Sequence, residues 1–147
     1  MSATGNDTPT SRFSASLAFM LQPPANFRTS AKQRNRDLRS CEIALRTLLV
    51  LAENLCKVRS SASTAKYKRI RRSNPAIRER LLDQRGGVKA LKALGFCLRE
   101  AASEFYEWDG DRSESNIIAP DAAVAAIRVA LKDIEQEILK TMWQRMG

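Results

Sequence analysis

The sequence predicts a mostly helical α/β domain of the α+β type, with one small sheet and a long C-terminal helix. Two segments, one beginning at Asp37 and one at Pro120, carry wide apolar stripes with the three- and four-residue spacing of a helix. Between them, aromatic and polar residues are interspersed from Phe96 to Trp108, which is typical of short strands.

The first part of the chain differs from the rest in composition. Residues 1–36 are rich in Ser, Thr, Pro and Asn, which predicts a flexible N-terminal arm. Within this arm, only Arg12 to Leu21 is apolar enough to form a short helix. Its bias toward Arg and Ser gives the arm a faint similarity to a mitochondrial transit peptide. We therefore expect an arm at 1–36 and a domain at 37–147.

The first predicted helix of the domain runs from Asp37 to Leu55. Its apolar stripe comprises Leu38, Cys41, Leu45, Leu48, Ala52 and Leu55. After a polar connection, a second helix is predicted from Lys66 to Asn74. It ends there because the residue before Pro75 is disfavoured in the α region.

Three further helices complete the prediction. A short one runs from Ala76 to Leu82, and another runs from Val88 to Gly95, where glycine is suited to a C-cap. Pro120 begins the closing helix, as proline often does at the first helical position. Its apolar face comprises Val124, Ile127, Leu131, Ile134, Ile138 and Met142.

Composition disfavours several classes of function. The 147 residues include no histidine, and the three cysteines show no C-x-x-C spacing. Zinc sites and Cys/His nucleophile pairs therefore lack their usual residues, and we predict a non-catalytic protein without cofactor or metal. No apolar run approaches the roughly 18 residues that a membrane span needs. A cytoplasmic or nuclear protein with no membrane partner is the expectation.

Positive charge is concentrated in the middle of the chain. The net charge is +9, and residues 57–92 hold twelve basic residues against only Glu79 and Asp83. Such a surplus attracts phosphate backbones, acidic membranes and acidic peptide tails alike. Charge alone does not choose among these partners.

The stretch KYKRIRRSN, residues 66–74, contains five of these cations. On a helical wheel its residues separate into two arcs. One arc mixes charge, aromatic and aliphatic groups, and comprises Lys66, Tyr67, Ile70, Arg71 and Asn74. The other is purely cationic and comprises Lys68, Arg69 and Arg72. The mixed arc is typical of a recognition surface, although Tyr67 and Ile70 are also compatible with an ordinary core.

Four blocks in this order and spacing resemble the PUB domain, also called PUG, which occurs in peptide N-glycanase, UBX-containing adaptors and the linear-ubiquitin ligase. They are LLxLAENL from Leu48, KYxxIRxxN from Lys66, RLL from Arg80 and RGGVxxLxxLGF from Arg85. The likeness extends from about Leu38 to Ile138. It implies a mostly helical domain with a small antiparallel sheet.

The resemblance also implies a partner and a site. PUB domains bind the acidic C-terminal tail of the AAA ATPase valosin-containing protein, which ends in an aromatic residue and a glycine, or a related tyrosine-containing motif. The corresponding pocket residues are Asn54, Lys66, Tyr67, Ile70, Arg71, Asn74, Gly95 and Phe96. Their types suit an apolar slot for a ring, hydrogen bonds to a peptide and neutralisation of a carboxylate.

Two hypotheses follow. The first is a non-catalytic peptide-binding adaptor of the ubiquitin–proteasome pathway, including degradation of endoplasmic-reticulum proteins. The alternative is a basic nucleic-acid-binding domain for RNA, because the sequence pI is about 10.0. This alternative would use both arcs of the 66–74 stretch.

Overall fold

The computed structural model describes residues 8–21, 31–58, 68–108 and 117–146. Five α-helices, one π-helix and three strands lie within these ranges. In chain order they are α1 (Pro9–Leu21), α2 (Ala31–Val58), β1 (Arg69–Arg71), α3 (Pro75–Ile77), the π-helix Arg78–Leu82, α4 (Gly87–Leu94), β2 (Phe96–Cys97), β3 (Phe105–Trp108) and α5 (Pro120–Met146). The predicted fold class is confirmed, since the structure is mostly helical with a three-stranded antiparallel sheet and a C-terminal helix.

Helices α2 and α5 form the main packing pair of the domain. The predicted stripe of α2 is buried throughout, from Leu38 to Leu55. The α5 stripe is buried from Ile127 to Ile138, whereas Met142 is 41% exposed. Ion pairs flank the contact at Glu53–Arg128 and Arg46–Glu135, with N···O distances of 3.2 and 3.6 Å. These pairings make the two helices antiparallel.

The sheet has the strand order β1-β3-β2, and both pairs are antiparallel. Ile70 lies opposite Tyr106, and Phe96 lies opposite Trp108. All four of these side chains are buried, so they form the inner face of the sheet. The intervening residues of each strand point to the other side, because side chains alternate along a strand. This outer face carries Arg69, Arg71, Phe105 and Glu107.

The helix predicted from Lys66 to Asn74 is wrong where the structure describes it. Arg69–Arg71 is a strand, Arg72 and Ser73 form a turn, and Asn74 precedes α3. Only Ile70 is buried between residues 68 and 74, so a helix here would have a single apolar anchor. Pairing with β3 instead satisfies the backbone and buries Ile70 against Tyr106. Tertiary pairing therefore outweighs the local helical pattern.

Helix α1 packs on the rest of the domain through α4 and α5. Phe13, Leu17 and Met20 belong to the same core as the inner sheet face, and Phe13 is fully buried. At the end of α1, the Arg85 Nη1 donates a hydrogen bond to the Phe19 carbonyl oxygen at 3.2 Å. The Arg85 guanidinium also lies 4.2 Å from the centroid of the Phe19 ring. The helix expected from Arg12 to Leu21 is thus present and docked.

The Gly86-Gly87 turn is explained by close packing. Gly86 has a φ of +77°, and a Cβ there would lie 2.8 Å from the Phe19 ring. A Cβ at Gly87 would lie 1.8 Å from the Leu81 carbonyl oxygen. Residues of the protein itself therefore fill the space next to both glycines. Glycine is required at both positions because a larger residue does not fit.

Candidate functional site

The predicted site residues come from four parts of the fold. Asn54 lies half-buried near the end of α2, between Glu53, which pairs with Arg128, and Leu55 in the core. Ile70 and Arg71 are in β1, Asn74 precedes α3, and Gly95 and Phe96 join α4 to β2. Lys66 and Tyr67 directly precede Lys68 in the chain and lie outside the described residues.

Ile70 and Arg71 lie on opposite faces of the sheet. Ile70 is 6% exposed and faces the core, whereas Arg71 is exposed on the outer face. The helical wheel placed these two residues in one arc and Arg69 in the other. In the strand, Arg69 and Arg71 instead share a face, and both guanidinium groups stand over the Phe105 ring. The predicted grouping is therefore wrong for Ile70, Arg69 and Arg71.

Asn74 shapes the turn that follows β1. Its Oδ1 accepts a hydrogen bond from the Ala76 backbone N–H at 3.0 Å, which caps the first turn of α3. Its own N–H donates to the Arg71 carbonyl oxygen at 3.1 Å. The side chain is exposed, and the cap uses its oxygen and not its amide N–H groups. Asn74 therefore has a structural role through its side-chain oxygen, and its amide N–H groups can donate to a ligand.

Gly95 and Phe96 are both buried. Gly95 ends α4 with a φ of +117°, and a Cβ there would lie 2.7 Å from Ile117 Cγ2 and from Trp108 Nε1. The indole N–H of Trp108 donates to the Leu94 carbonyl oxygen at 3.2 Å. The space beside Gly95 is thus filled by Trp108 and Ile117. Phe96, the first residue of β2, is 0% exposed and lies on the inner face of the sheet.

The sheet brings part of the predicted set together. Ile70 and Phe96 share the inner face, with Tyr106 and Trp108 of β3 between them. Sequence reasoning missed Trp108, which packs on Gly95, and Phe105, which holds the two arginines. The segment FYEW, residues 105–108, could have indicated both. If it is taken as a strand, its side chains must alternate between the two faces of the sheet.

A cavity of about 560 Å³ opens next to the turn after β1. It lies between this turn, the π-helix and β3, and its lining includes Arg72, Arg78, Glu104 and Tyr106. The Arg72 Nη1 donates to the Ala101 carbonyl oxygen at 2.8 Å, which fixes one wall. None of the described residues predicted for the site lines this cavity.

Exposed cations outnumber exposed carboxylates in residues 69–108, which include the sheet. Exposed cations occur on β1, the turn after it, the π-helix and α4, and they include Arg69, Arg71, Arg72, Arg78, Arg80, Lys89 and Lys92. Glu107, a carboxylate on the outer sheet face, forms an ion pair with Arg99, and the distance between its Oε2 and the Arg99 Nε is 3.1 Å. An acidic ligand would therefore approach a surface of matching sign.

The cysteines and the possible metal ligands are the remaining reactive groups of the described ranges. Burial raises the pKa of the Cys41 thiol to about 11, and the positive charge of Arg34 opposes this rise in part. Cys41, Cys56 and Cys97 form no disulfide. Among the described residues, no three His, Cys, Asp or Glu side chains are grouped as a metal site would need. Nor does any helix in those ranges combine the length and hydropathy of a membrane span.

Comparison with known protein families gives a match that covers all three strands and the helices between α2 and α5. A family model described as PUB domain matches residues 39–119. No solved structure gives a significant match. The family match begins within α2, ends just before α5 and includes all eight residues predicted for the site. Since the matched segment is more than half of the chain, this protein belongs to the PUB domain family.

Proposed function

We propose that this PUB domain is a non-catalytic module that binds the acidic, aromatic-ended C-terminal tail of the valosin-containing protein ATPase, or a related tyrosine-containing motif. In this role it acts as an adaptor in ubiquitin-dependent degradation. The observation that carries the proposal is the family match over residues 39–119, because a PUB domain is a protein-interaction module. The match also covers every residue assigned to the tail pocket.

The positions of the pocket residues support this function. Arg71 is exposed and stands on an aromatic ring, so its guanidinium edge is available to a carboxylate. Asn74 keeps amide N–H groups that can donate to a peptide carbonyl. Ile70 and Phe96 are buried on the inner face of the sheet and give the site an apolar base. The surrounding positive charge would speed the association of an acidic tail.

Isothermal titration calorimetry tests the proposal directly. The ligand is a synthetic peptide with acidic residues followed by an aromatic residue and a terminal glycine. We expect Asn54→Ala to weaken binding by roughly five- to tenfold, through loss of hydrogen bonds. Tyr67→Ala should weaken it by at least about tenfold, as loss of an aromatic contact usually does. Ser14→Ala, which changes an exposed residue of α1, is the matched control.

Unchanged affinity in both pocket variants would contradict the assigned pocket. Absence of any binding to the wild-type protein would contradict the proposed function itself.

Phosphorylation of the peptide's aromatic residue provides a further prediction, for a tail that carries tyrosine. A phosphate adds a bulky group with a charge of about −1.5 to −2. We expect weaker binding because an apolar slot for a ring does not accommodate this group. The measurement is the same titration with a phosphotyrosine peptide, and equal affinity for the two peptides would show that the ring is not inserted.

RNA binding is the second candidate, favoured by the number of exposed cations on β1, the π-helix and α4. It predicts that the logarithm of affinity falls with the logarithm of salt concentration, by about 0.7 to 0.9 per neutralised phosphate. Charge reversal at Arg80 and Lys92 separates the two functions. If the protein binds RNA, this change should abolish that binding and leave tail binding mostly intact. Wild-type protein that binds RNA and no tail peptide would favour the RNA-binding function.

A further inference from the structure

The outer face of the sheet carries two arginines on one aromatic ring. Arg69 and Arg71 alternate along β1, and Phe105 lies opposite Arg71 in β3. The Cζ atom of Arg69 is 4.1 Å from the centroid of the Phe105 ring, and that of Arg71 is 5.5 Å away. Both arginines are exposed, while Phe105 is half-buried. The ring is thus a shared platform for two guanidinium groups.

This platform prepares the arginines to bind an anion. The ring face attracts each cation and restricts its rotamers, which lowers the entropy lost when a ligand binds. A guanidinium that lies on an aromatic ring still directs its N–H groups outward in the plane that a carboxylate needs. The two side chains are therefore held ready rather than extended freely into water.

The protein does not neutralise these two charges within the described ranges. No ion pair there involves Arg69 or Arg71. Glu107 is on the same face and opposite Arg69 in register, but its carboxylate is held by Arg99 at 3.1 Å. The remaining positive charge is available to a partner.

We propose that Arg69, Arg71 and Phe105 form a carboxylate-binding subsite for an extended acidic peptide segment. Alternate side chains of an extended peptide point to one side and lie roughly 6.6 to 6.8 Å apart, which is the spacing of alternate residues in β1. Two carboxylates separated by one residue therefore match the two arginines. This subsite rests on the proposed function, since it would read the acidic residues that precede the aromatic end of the tail.

A peptide fits this face better than a nucleic acid does. On the outer sheet face, Arg69 and Arg71 stand beside Glu107, whose carboxylate is already paired with Arg99. Binding to a phosphate backbone usually relies on a longer row of cations, each neutralising one phosphate. A pair of carboxylates needs only the pair of arginines.

Calorimetric titration of two peptides tests the subsite. The acidic peptide has two carboxylates at alternate positions before its aromatic end, and the amide peptide has asparagine at both. We expect Arg69→Gln to weaken binding of the acidic peptide by roughly three- to tenfold and to leave the amide peptide unchanged. Arg80→Gln, which removes the same charge from the π-helix, should affect neither peptide beyond about twofold.

Phe105 provides an independent pair of variants. Phe105→Tyr keeps the ring and should retain the preference for the acidic peptide, whereas Phe105→Leu should reduce it about as much as Arg69→Gln. Thermal unfolding checks that the leucine variant is folded. If it unfolds, the comparison of Arg69→Gln with Arg80→Gln still decides the question.

The outcomes separate the subsite from the proposed function. If the wild-type protein binds neither peptide, both the function and the subsite are overturned. If it binds both peptides equally well, or if Arg69→Gln weakens both by the same factor, the subsite is overturned and the function stands. If single-stranded RNA requires Arg69 and the acidic peptide does not, the face binds phosphate backbones and the peptide proposal is overturned.

Discussion

Single residues show how closely the candidate site and the core are connected. Gly95 was expected to let a peptide backbone approach, yet its α-carbon faces Trp108 and Ile117 of the protein itself. Phe96 was expected to line a slot, and its side chain is fully buried. Substitution at either position is therefore expected to lower the stability of the fold, whatever its effect on binding. Binding studies of the pocket are cleaner at exposed positions such as Arg71 and Asn74.

Gly95→Ala should destabilise the domain. A left-handed conformation costs a non-glycine residue about 1 to 2 kcal/mol, and the added methyl group would displace the Trp108 ring. Together we expect a loss of roughly 2 to 4 kcal/mol in the free energy of unfolding. Urea denaturation measures this loss. Ala102→Ser, in an exposed turn, is the control and should stay within about 0.5 kcal/mol of wild type.

Cys41 predicts a pH dependence of stability. Its pKa is raised from 9.0 to about 11 by burial in the fold, so the unfolded state loses this proton first. The folded state therefore holds more protons between these values, and the free energy of unfolding falls as the pH rises through that window. We expect Cys41→Ala to lose less stability than wild type between pH 9.0 and about 11. The measurement is the free energy of unfolding of both proteins as a function of pH. An equal loss of stability in the two proteins over this window would refute the prediction.

At the level of elements, long periodic segments could be predicted and short ones could not. The stripes of α2 and α5 repeat over many turns, so their burial follows from spacing alone. Gly95 was also identified correctly as the end of α4. Strand β1 was missed because its three residues form a strand only by pairing with β3, more than thirty residues later in the chain. The face shared by Arg69 and Arg71 depends on that pairing, so it was missed as well.

Helix α1 extends the domain beyond the N-terminal end of the family match, as α5 does beyond its C-terminal end. It lies before residue 39 and nevertheless contributes Phe13, Leu17 and Met20 to the common core. The predicted boundary between arm and domain falls at residue 37, but α2 already begins at Ala31. We infer that α1 belongs to the same folding unit as the PUB domain.

Phe13→Ala tests this role of α1. Phe13 is fully buried, and removal of a buried phenylalanine side chain typically costs about 3 to 5 kcal/mol. We expect a loss of that order in the free energy of unfolding, in a single cooperative transition. Ser14→Ala, the adjacent exposed position, should change stability by less than about 0.5 kcal/mol. A loss equally small at Phe13 would mean that α1 is a loosely attached arm.

At the scale of the whole molecule, composition and charge set the limits within which the site acts. The excess of cations in residues 57–92 was predicted from the sequence, and the structure places most of the described ones on β1, the π-helix, α4 and the turns next to them. Composition could not show which cations form a recognition surface and which only attract an acidic ligand from a distance. The sheet supplies that distinction, since Arg69 and Arg71 share a ring while Arg80 and Lys92 lie on separate helices.

Mapping of the bound peptide on the protein tests the central claim most directly. The measurement is a titration of ¹⁵N-labelled protein with the acidic, aromatic-ended tail peptide, followed by NMR chemical shifts. We predict that the largest shift changes occur at Asn54, Ile70, Arg71, Asn74, Gly95 and Phe96, with little change along α1. Shift changes concentrated on α1 or the outer surface of α5, or no changes at all, would contradict the account.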